Sequence, residues 1–350
     1  MKMILFAGGA GTRLWPLSRK AIPKQFAPFF EGRSTLQLAV DRVAPFGIQN
    51  LYISTREDYA PLVQAQVPAL PNDHLLCEPT RRDLAAAVCL ALLRLKQRGV
   101  HGTVAILWSD HLMQHPDRFA SALQTAEELL EHDRERLIFL GERPRFANHN
   151  LGWIHTGARR DDGSHAFLGW KYRPELSECV RMHESGEWLW NPGYFVFDAD
   201  VVLGLYAVHQ PAMLHALQEA VTHPERLPEI YASCEVMHFD QAILEKISPS
   251  QAVVLPVSMG WSDPGTLYAM KEALAPSTEA NVHVGNVIDH GSRDGFVYNE
   301  CDDQTVVTVG LDGVIVVNTP DAVLVCHKDA VPDIKPVLAR LEAEGLDHLL

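Results

Sequence analysis

The chain has 350 residues, 47% of them hydrophobic, enough for one large domain or for a large and a small one. Acidic residues number 44 against 30 lysines and arginines, a formal net charge of −14, which argues against nucleic acid or an anionic membrane as partner. Its six cysteines are scattered without a CxxC pair, no long apolar run suggests a membrane span, and the short N-terminal run lacks a cleavage region, so a soluble, cytoplasmic protein with reduced thiols is expected.

The first predicted element is a strand at residues 2–7, with the length and composition of a buried parallel strand. It stops at Gly8-Gly9-Ala10-Gly11-Thr12-Arg13, and Lys24 follows Arg13 by eleven residues. The glycines let the backbone approach a ligand closely, and backbone N–H groups at a helix start there would face an anion. Arg13 offers a planar fork and Lys24 a point charge, both suited to phosphate. A tight strand-to-helix turn with two solvated cations is the plain alternative. Two familiar glycine motifs are absent. The dinucleotide fingerprint needs a glycine where Leu14 stands, and a Walker loop needs Gly-Lys-Ser/Thr after its spacer.

Further strands are predicted at residues 50–54, 74–77, 103–108, 136–140 and 194–197, alternating with helical patterns at 35–43, 83–94, 116–132 and 201–207. Alternation of this kind implies an α/β fold with a mostly parallel sheet covered by helices on both faces. Ligands on such sheets sit beyond the carboxyl ends of the strands, where the glycine loop falls. Asp110, in Trp108-Ser109-Asp110-His111, directly follows an apolar run. A carboxylate there suits Mg²⁺ shared with substrate phosphates, and it equally suits a helix cap. Asp263 precedes Pro264 and Gly265, and its surroundings alone read as a turn. After Pro276 the character changes. Short β-branched runs at 305–309, 314–317 and 322–326, parted by Gly, Asp and Asn, predict a small β unit, then a helix at 331–344. The expected division is residues 1–276 as the catalytic domain and 277–350 as a small β-rich domain.

The run GTRLWPLSR (residues 11–19) followed by PKQF (23–26) resembles the signature of the sugar-1-phosphate nucleotidyltransferases, in particular their mannose-1-phosphate guanylyltransferase branch. The resemblance covers almost the whole chain, from Lys2 to the helix after Cys326. It implies a Rossmann-like nucleotidyltransferase sheet and a C-terminal left-handed β-helical piece. It also implies the reaction: mannose 1-phosphate attacks the α-phosphate of GTP in line, giving GDP-mannose and pyrophosphate, with Mg²⁺ as cofactor. Asp110 matches the family's strand-end Ser-Asp-His, and GWSDPG (260–265) is similar to its GWSD-x-G, so Asp110 and Asp263 are the implied metal ligands. Arg13 is implied on the departing phosphates, Lys24 and Lys171 on the α-phosphate and the sugar phosphate. Gly8, Gly9, Gly11, Thr12 and Ser109 are placed at the nucleotide.

Four further stretches carry the resemblance. EPTRRDLA (78–85) is similar to EP-x-x-RNTA, which sets Glu78 and Arg82 at the nucleotide, although Asp83, Leu84 and Ala86 replace the usual Asn, Thr and Pro. NLGWI (150–154) resembles YGYI and places Gly152 against the sugar. LWNPGY (189–194) resembles LWNSGM and places Asn191 on sugar hydroxyls, which an amide can both donate to and accept from. FDQAILEK (239–246) resembles IDYAVMEK and places Asp240 near the sugar. The clearest departure is FLGWKYRP (167–174), which lacks the family's Glu-Lys-Pro and leaves Lys171, or Arg173, to supply the cation. The rival readings are the same chemistry on another sugar 1-phosphate or nucleotide, and a weakly catalytic nucleotide-sugar-binding regulator. The expected partners are GTP and a sugar 1-phosphate, with a homodimer left open.

Overall fold

The computed structural model describes the whole chain except Ala10, Glu31, Pro276 and Thr278, and describes Thr12 by its backbone alone. The expected boundary at Pro276 therefore falls outside the described residues. Two compact units emerge. Unit one is Met1–Gly8, Ala39–Ser109 and Met113–Trp261; unit two is Gly9–Leu38, Asp110–Leu112 and Ser262–Leu350.

Unit one is built on a sheet whose first strands are β1 (Lys2–Phe6), β2 (Leu51–Arg56), β3 (Leu75–Glu78) and β4 (Thr103–Trp108). After the two-residue β5 (Leu112–Met113) come β6 (Leu137–Glu142), β7 (Gly152–Arg159), β8 (His165–Tyr172), β9 (Trp188–Asn191), β10 (Phe195–Asp198) and β11 (Ala252–Val257). The order across this ten-stranded sheet is β11-β8-β7-β9-β6-β10-β4-β1-β2-β3. The α/β class expected from alternation holds. β4, β1, β2 and β3 run parallel, as do β6 and β11. Antiparallel strands enter where that alternation gave no warning. β10 lies antiparallel between β4 and β6, and β7 pairs antiparallel with β8 and β9. The reason for the β7–β8 pair is connection length. Arg160 N donates to Ser164 O (2.8 Å) in a turn too short for a crossover, so the chain can only double back. The helix Asp83–Gln97 is buried without a break from Ala85 to Leu93, and it joins Phe195, Tyr206, Leu217 and Phe239 in one core. A helix apolar all round belongs in such an interior.

Unit two contains Ser262 of the short β12 (Trp261–Ser262) and then β13 (Val282–Val284), β14 (Val287–His290), β15 (Phe296–Asn299), β16 (Val306–Val309), β17 (Val314–Asn318) and β18 (Val323–His327). β13, β15 and β17 form one parallel ladder and β14 and β16 another, while β18 turns back antiparallel on β17. The coil repeats after 19 residues. Asn318 Nδ2 donates to Asn299 Oδ1 (2.9 Å), and Thr308 Oγ1 donates to Asp289 Oδ1 (2.7 Å), each pair 19 apart. This is a small β-helix-like stack followed by the helix Ile334–Ala343. Its apolar core also takes in Leu14, Trp15, Leu17, Ala27 and Phe29, packed with Leu267, Phe296, Tyr298, Ile315 and Val317.

Candidate active site

The glycine loop begins where β1 ends. In unit one, Ala7 N donates to Ser54 O (2.8 Å), and a Cβ on Gly8 would stand 3.9 Å from Glu78 Oε1. In unit two, Gln25 Nε2 donates to Gly9 O (2.9 Å). Gly11 has φ +63, the left-handed region that favours glycine, and its carbonyl accepts from Ser18 Oγ (2.5 Å) and Leu14 N (3.2 Å). A single helical turn, Thr12–Leu14, follows; the Thr12 side chain lies outside what is described. Leu14, Trp15 and Leu17 are buried in the unit-two core, and Trp15 Nε1 donates to Leu349 O (2.6 Å). The apolar residues of the signature thus anchor the loop, and Arg13, directly before them, stands exposed.

Lys24 is buried, with Nζ 2.6 Å from Asp110 Oδ2 and 3.7 Å from Asp263 Oδ1. Burial opposes both charges. The attraction between them wins, so the Asp110 carboxyl is held below the ordinary range and the Lys24 ammonium is raised above it. His111 adds to this, with Nε2 3.9 Å from Asp110 Oδ1. A Cβ on Gly265 would lie 3.3 Å from Asp263 Oδ1 and 3.6 Å from Arg13 Nη2. Arg13, Lys24, Asp110 and Asp263 therefore form one cluster, all within unit two.

The other expected residues lie in unit one, in local groups. Glu78 is buried and accepts from Tyr231 Oη (2.5 Å) and Ser54 Oγ (3.3 Å). Burial pushes its carboxyl up to about 6, against the pull of those two bonds and of Arg94 and Arg56. Arg82 is drawn to the end of the helix Leu227–Ser233, where Nε donates to Ala232 O (2.8 Å). Ser109 is buried and donates its N–H to Phe6 O (3.2 Å). Gly152 on β7 sits opposite Asn191 on β9, and a Cβ there would meet Asn191 Cβ at 3.4 Å and Lys171 O at 3.9 Å. Asn191 Oδ1 accepts from Gly193 N (2.9 Å), and Lys171 is ion-paired with Glu178. Asp240 lies in the short helix Phe239–Ala242, where burial raises its carboxyl.

Comparison with known proteins bears on these groups. A family model described as "Nucleotidyl transferase" matches residues 2–279, and one described as "MannoseP isomerase/GMP-like beta-helix domain" matches 285–341. The chain belongs to the nucleotidyl transferase family. The xanthan biosynthesis protein XanB of Xanthomonas campestris pv. campestris (strain B100) is 31% identical, over 98% of this chain and 73% of its own. The mannose-1-phosphate guanylyltransferase of Escherichia coli (strain K12) is 30% identical over the same shares, 98% and 73%. The solved mannose-1-phosphate geranyltransferase from Thermus thermophilus superposes with a TM-score of 0.88 at 28% identity, covering 97% of this chain and 99% of that one.

This sugar-1-phosphate nucleotidyltransferase is an enzyme of a family that generally uses a divalent metal. Its donor set fits one. Two carboxylates converge on the single Lys24 ammonium, and hard oxygens are what such a cation takes. Among the described residues no group of three or more His, Cys, Asp or Glu side chains could hold a metal. The remaining ligands would then be phosphate and water oxygens. Among the described residues no helix of the nucleotidyltransferase is long and apolar enough to cross a membrane.

One residue escaped the sequence reading. Glu142 closes β6 with a buried carboxylate that accepts the backbone N–H groups of Met259 (2.9 Å), Gly260 (3.0 Å) and Trp261 (3.3 Å). The available signal was an acid ending the otherwise apolar strand LIFLGE.

Proposed function

We propose that this nucleotidyltransferase transfers a guanylyl group from GTP to mannose 1-phosphate, releasing pyrophosphate, in the cytoplasm and with Mg²⁺. The observation that carries the reading is Lys24 set between Asp110 and Asp263 with Arg13 beside them. Relatives over nearly the whole chain bear the name mannose-1-phosphate guanylyltransferase, which supports GTP and mannose 1-phosphate as substrates.

An oxygen of the sugar phosphate forms the new bond to the α-phosphorus, and the bond from that phosphorus to the β-phosphate oxygen breaks. Such a step needs positioning and charge neutralisation more than covalent help. Arg13 is assigned to the departing β,γ-phosphates, its fork matching phosphate oxygens. Lys24 is assigned to the α-phosphate. Lys171, on leaving Glu178, would take the sugar phosphate. Gly8, Gly9, Gly11 and Thr12 would cradle the nucleotide, with Glu78, Arg82 and Ser109 also on it. Gly152, Asn191 and Asp240 are assigned to the sugar. Mg²⁺, held by Asp110 and Asp263, would neutralise phosphate charge. All these residues fall within 1–276, the proposed catalytic domain.

The test is pyrophosphate release from a panel of nucleoside triphosphates against several sugar 1-phosphates. GTP with mannose 1-phosphate should be the fastest pair, and EDTA should stop it. Turnover that survives EDTA would remove the metal from the reading. Silence across the panel would leave a binding protein instead.

A further inference from the structure

We propose that Tyr172 is a specificity-determining residue whose ring walls the sugar subsite opposite Asn191, an inference that rests on Gly152 and Asn191 facing the sugar. Across β8, β7 and β9, Tyr172 pairs with Gly152, and Gly152 with Asn191. Two residues further in, Trp170 pairs with Ile154, and Ile154 with Leu189. Residues two apart on a strand share a face of the sheet. Ile154 and Leu189 belong to the unit-one core, and Trp170 packs against it. The row Tyr172, Gly152, Asn191 therefore carries that face out to the margin of the core, where Tyr172 is 77% exposed.

The middle of this row has no side chain. Neighbouring strands lie about 4.8 Å apart, so Tyr172 and Asn191 flank a gap of roughly 9–10 Å floored by the Gly152 backbone. Asn191 Oδ1 is taken by Gly193 N (2.9 Å), while Nδ2 lies 3.9 Å from where a Gly152 Cβ would stand. The amide thus turns its donors toward the gap, where hydroxyl oxygens can accept them. The opposite wall is an aromatic face, electron-rich and apolar, which suits C–H groups. A hexose presents both, hydroxyls around its rim and C–H groups across a face. The ring is also held in place. Arg173 Cζ stands 5.1 Å from its centroid, while Arg173 Nε donates to Asn150 O (3.3 Å) and its N to Leu151 O (3.2 Å). Arg173 has φ +47, a left-handed conformation that persists only where its surroundings fix it and that gathers at ligand clamps. A carboxylate in this row would grip individual hydroxyls. A ring instead reads the shape of a sugar face, and so selects hexoses with an open C–H face.

The test compares GDP-mannose with GDP for binding to the whole protein by calorimetry, because the ratio of the two isolates the sugar. Tyr172→Ala should cut the preference for GDP-mannose by about tenfold, the loss of one aromatic contact, and leave GDP binding unchanged. Tyr172→Phe should bind like wild type, since the face of the ring and not its hydroxyl makes the contact. Asn191→Ala should cut the same preference, and thermal melts confirm that each variant is folded. Tyr172→Ala keeping the full preference while Asn191→Ala loses it would overturn the proposal. So would Tyr172→Phe behaving like Tyr172→Ala, or Tyr172→Ala weakening both ligands alike. If wild type shows no preference, or both alanine variants keep it, the sugar lies elsewhere and the assignment of Gly152 and Asn191 fails together with this inference.

Discussion

The Cβ that Gly11 lacks would lie 2.8 Å from the Cβ of Lys24. The loop backbone is packed directly on the stem of the buried lysine, so a methyl group at position 11 has nowhere to go. Gly11→Ala adds a second cost, since the left-handed backbone disfavours any side chain by roughly 1–2 kcal/mol. The variant should melt earlier and lose most of its turnover, because Lys24 must shift away from Asp110. Urea melts and pyrophosphate release check both effects; normal behaviour in the two would show that the loop tolerates a side chain.

Asp110→Asn and Asp263→Asn should part company in stability and agree in activity. The Asp110 side chain is 28% exposed and lies 2.6 Å from a lysine that is 10% exposed. Removing that charge leaves a buried ammonium poorly paired, at a cost of about 1–3 kcal/mol. The Asp263 side chain is 38% exposed and stands 3.7 Å away, so its loss should cost less than about 1 kcal/mol. Both variants should lose orders of magnitude in rate and need more Mg²⁺. Calorimetry beside a metal titration separates these outcomes.

Arg13→Ala should do the reverse of a core substitution. The residue is exposed, so the unfolding free energy should stay within about 0.5 kcal/mol of wild type. Loss of one preorganised donor to a departing phosphate should lower kcat by roughly 10²–10³. A variant with near-normal kcat would take Arg13 out of the reaction.

Much of this cluster was legible because it is contiguous or ends a strand. The first glycine loop, Arg13 and Lys24 fall within one short segment, and Asp110 follows an apolar run that is plainly β4. Asp263 was different, since an aspartate before Pro-Gly looks like any turn, and only the likeness of its whole hexapeptide marked it. Glu142 offered one local sign, an acid ending the apolar strand LIFLGE, and nothing that pointed to its partners. Its partner Met259 is 117 positions away, and no local pattern reports such a bond. β7, with sequence GWIHTGAR, carries glycines and a histidine where alternating β-branched residues would have announced a strand. The antiparallel placing of β10 depends on which strands it inserts between, which periodicity does not encode.

Glu78 predicts a pH effect. Its folded carboxyl sits near 6 against an ordinary value of 4.5, with burial the chief cause. Below 4.5 both folded and unfolded chains carry the proton, and this group costs nothing. As pH rises through about 6 the buried carboxyl must ionise, so folding loses stability, about 2 kcal/mol for a shift of this size. Glu78→Gln should abolish that component of the slope. Urea denaturation of both proteins at about pH 5 and pH 7, on either side of that titration, gives the comparison: wild type should lose more stability over the interval than the variant.

The mixed parentage of the unit-two core bears on how the molecule is made. Leu14, Trp15 and Leu17 emerge from the ribosome early, yet they pack on Phe296, Ile315 and Val317, and Trp15 bonds a carbonyl 334 residues downstream. At about 5–20 residues per second, synthesis leaves these side chains without their partners for tens of seconds. During that interval the segment Gly9–Leu38 is a sticky, protease-accessible stretch on a chain whose β1–β4 strands can already pair. Nascent chains halted before Phe296 should therefore be nicked first within that segment, and chaperones that shield exposed tryptophan and leucine would find their earliest client there.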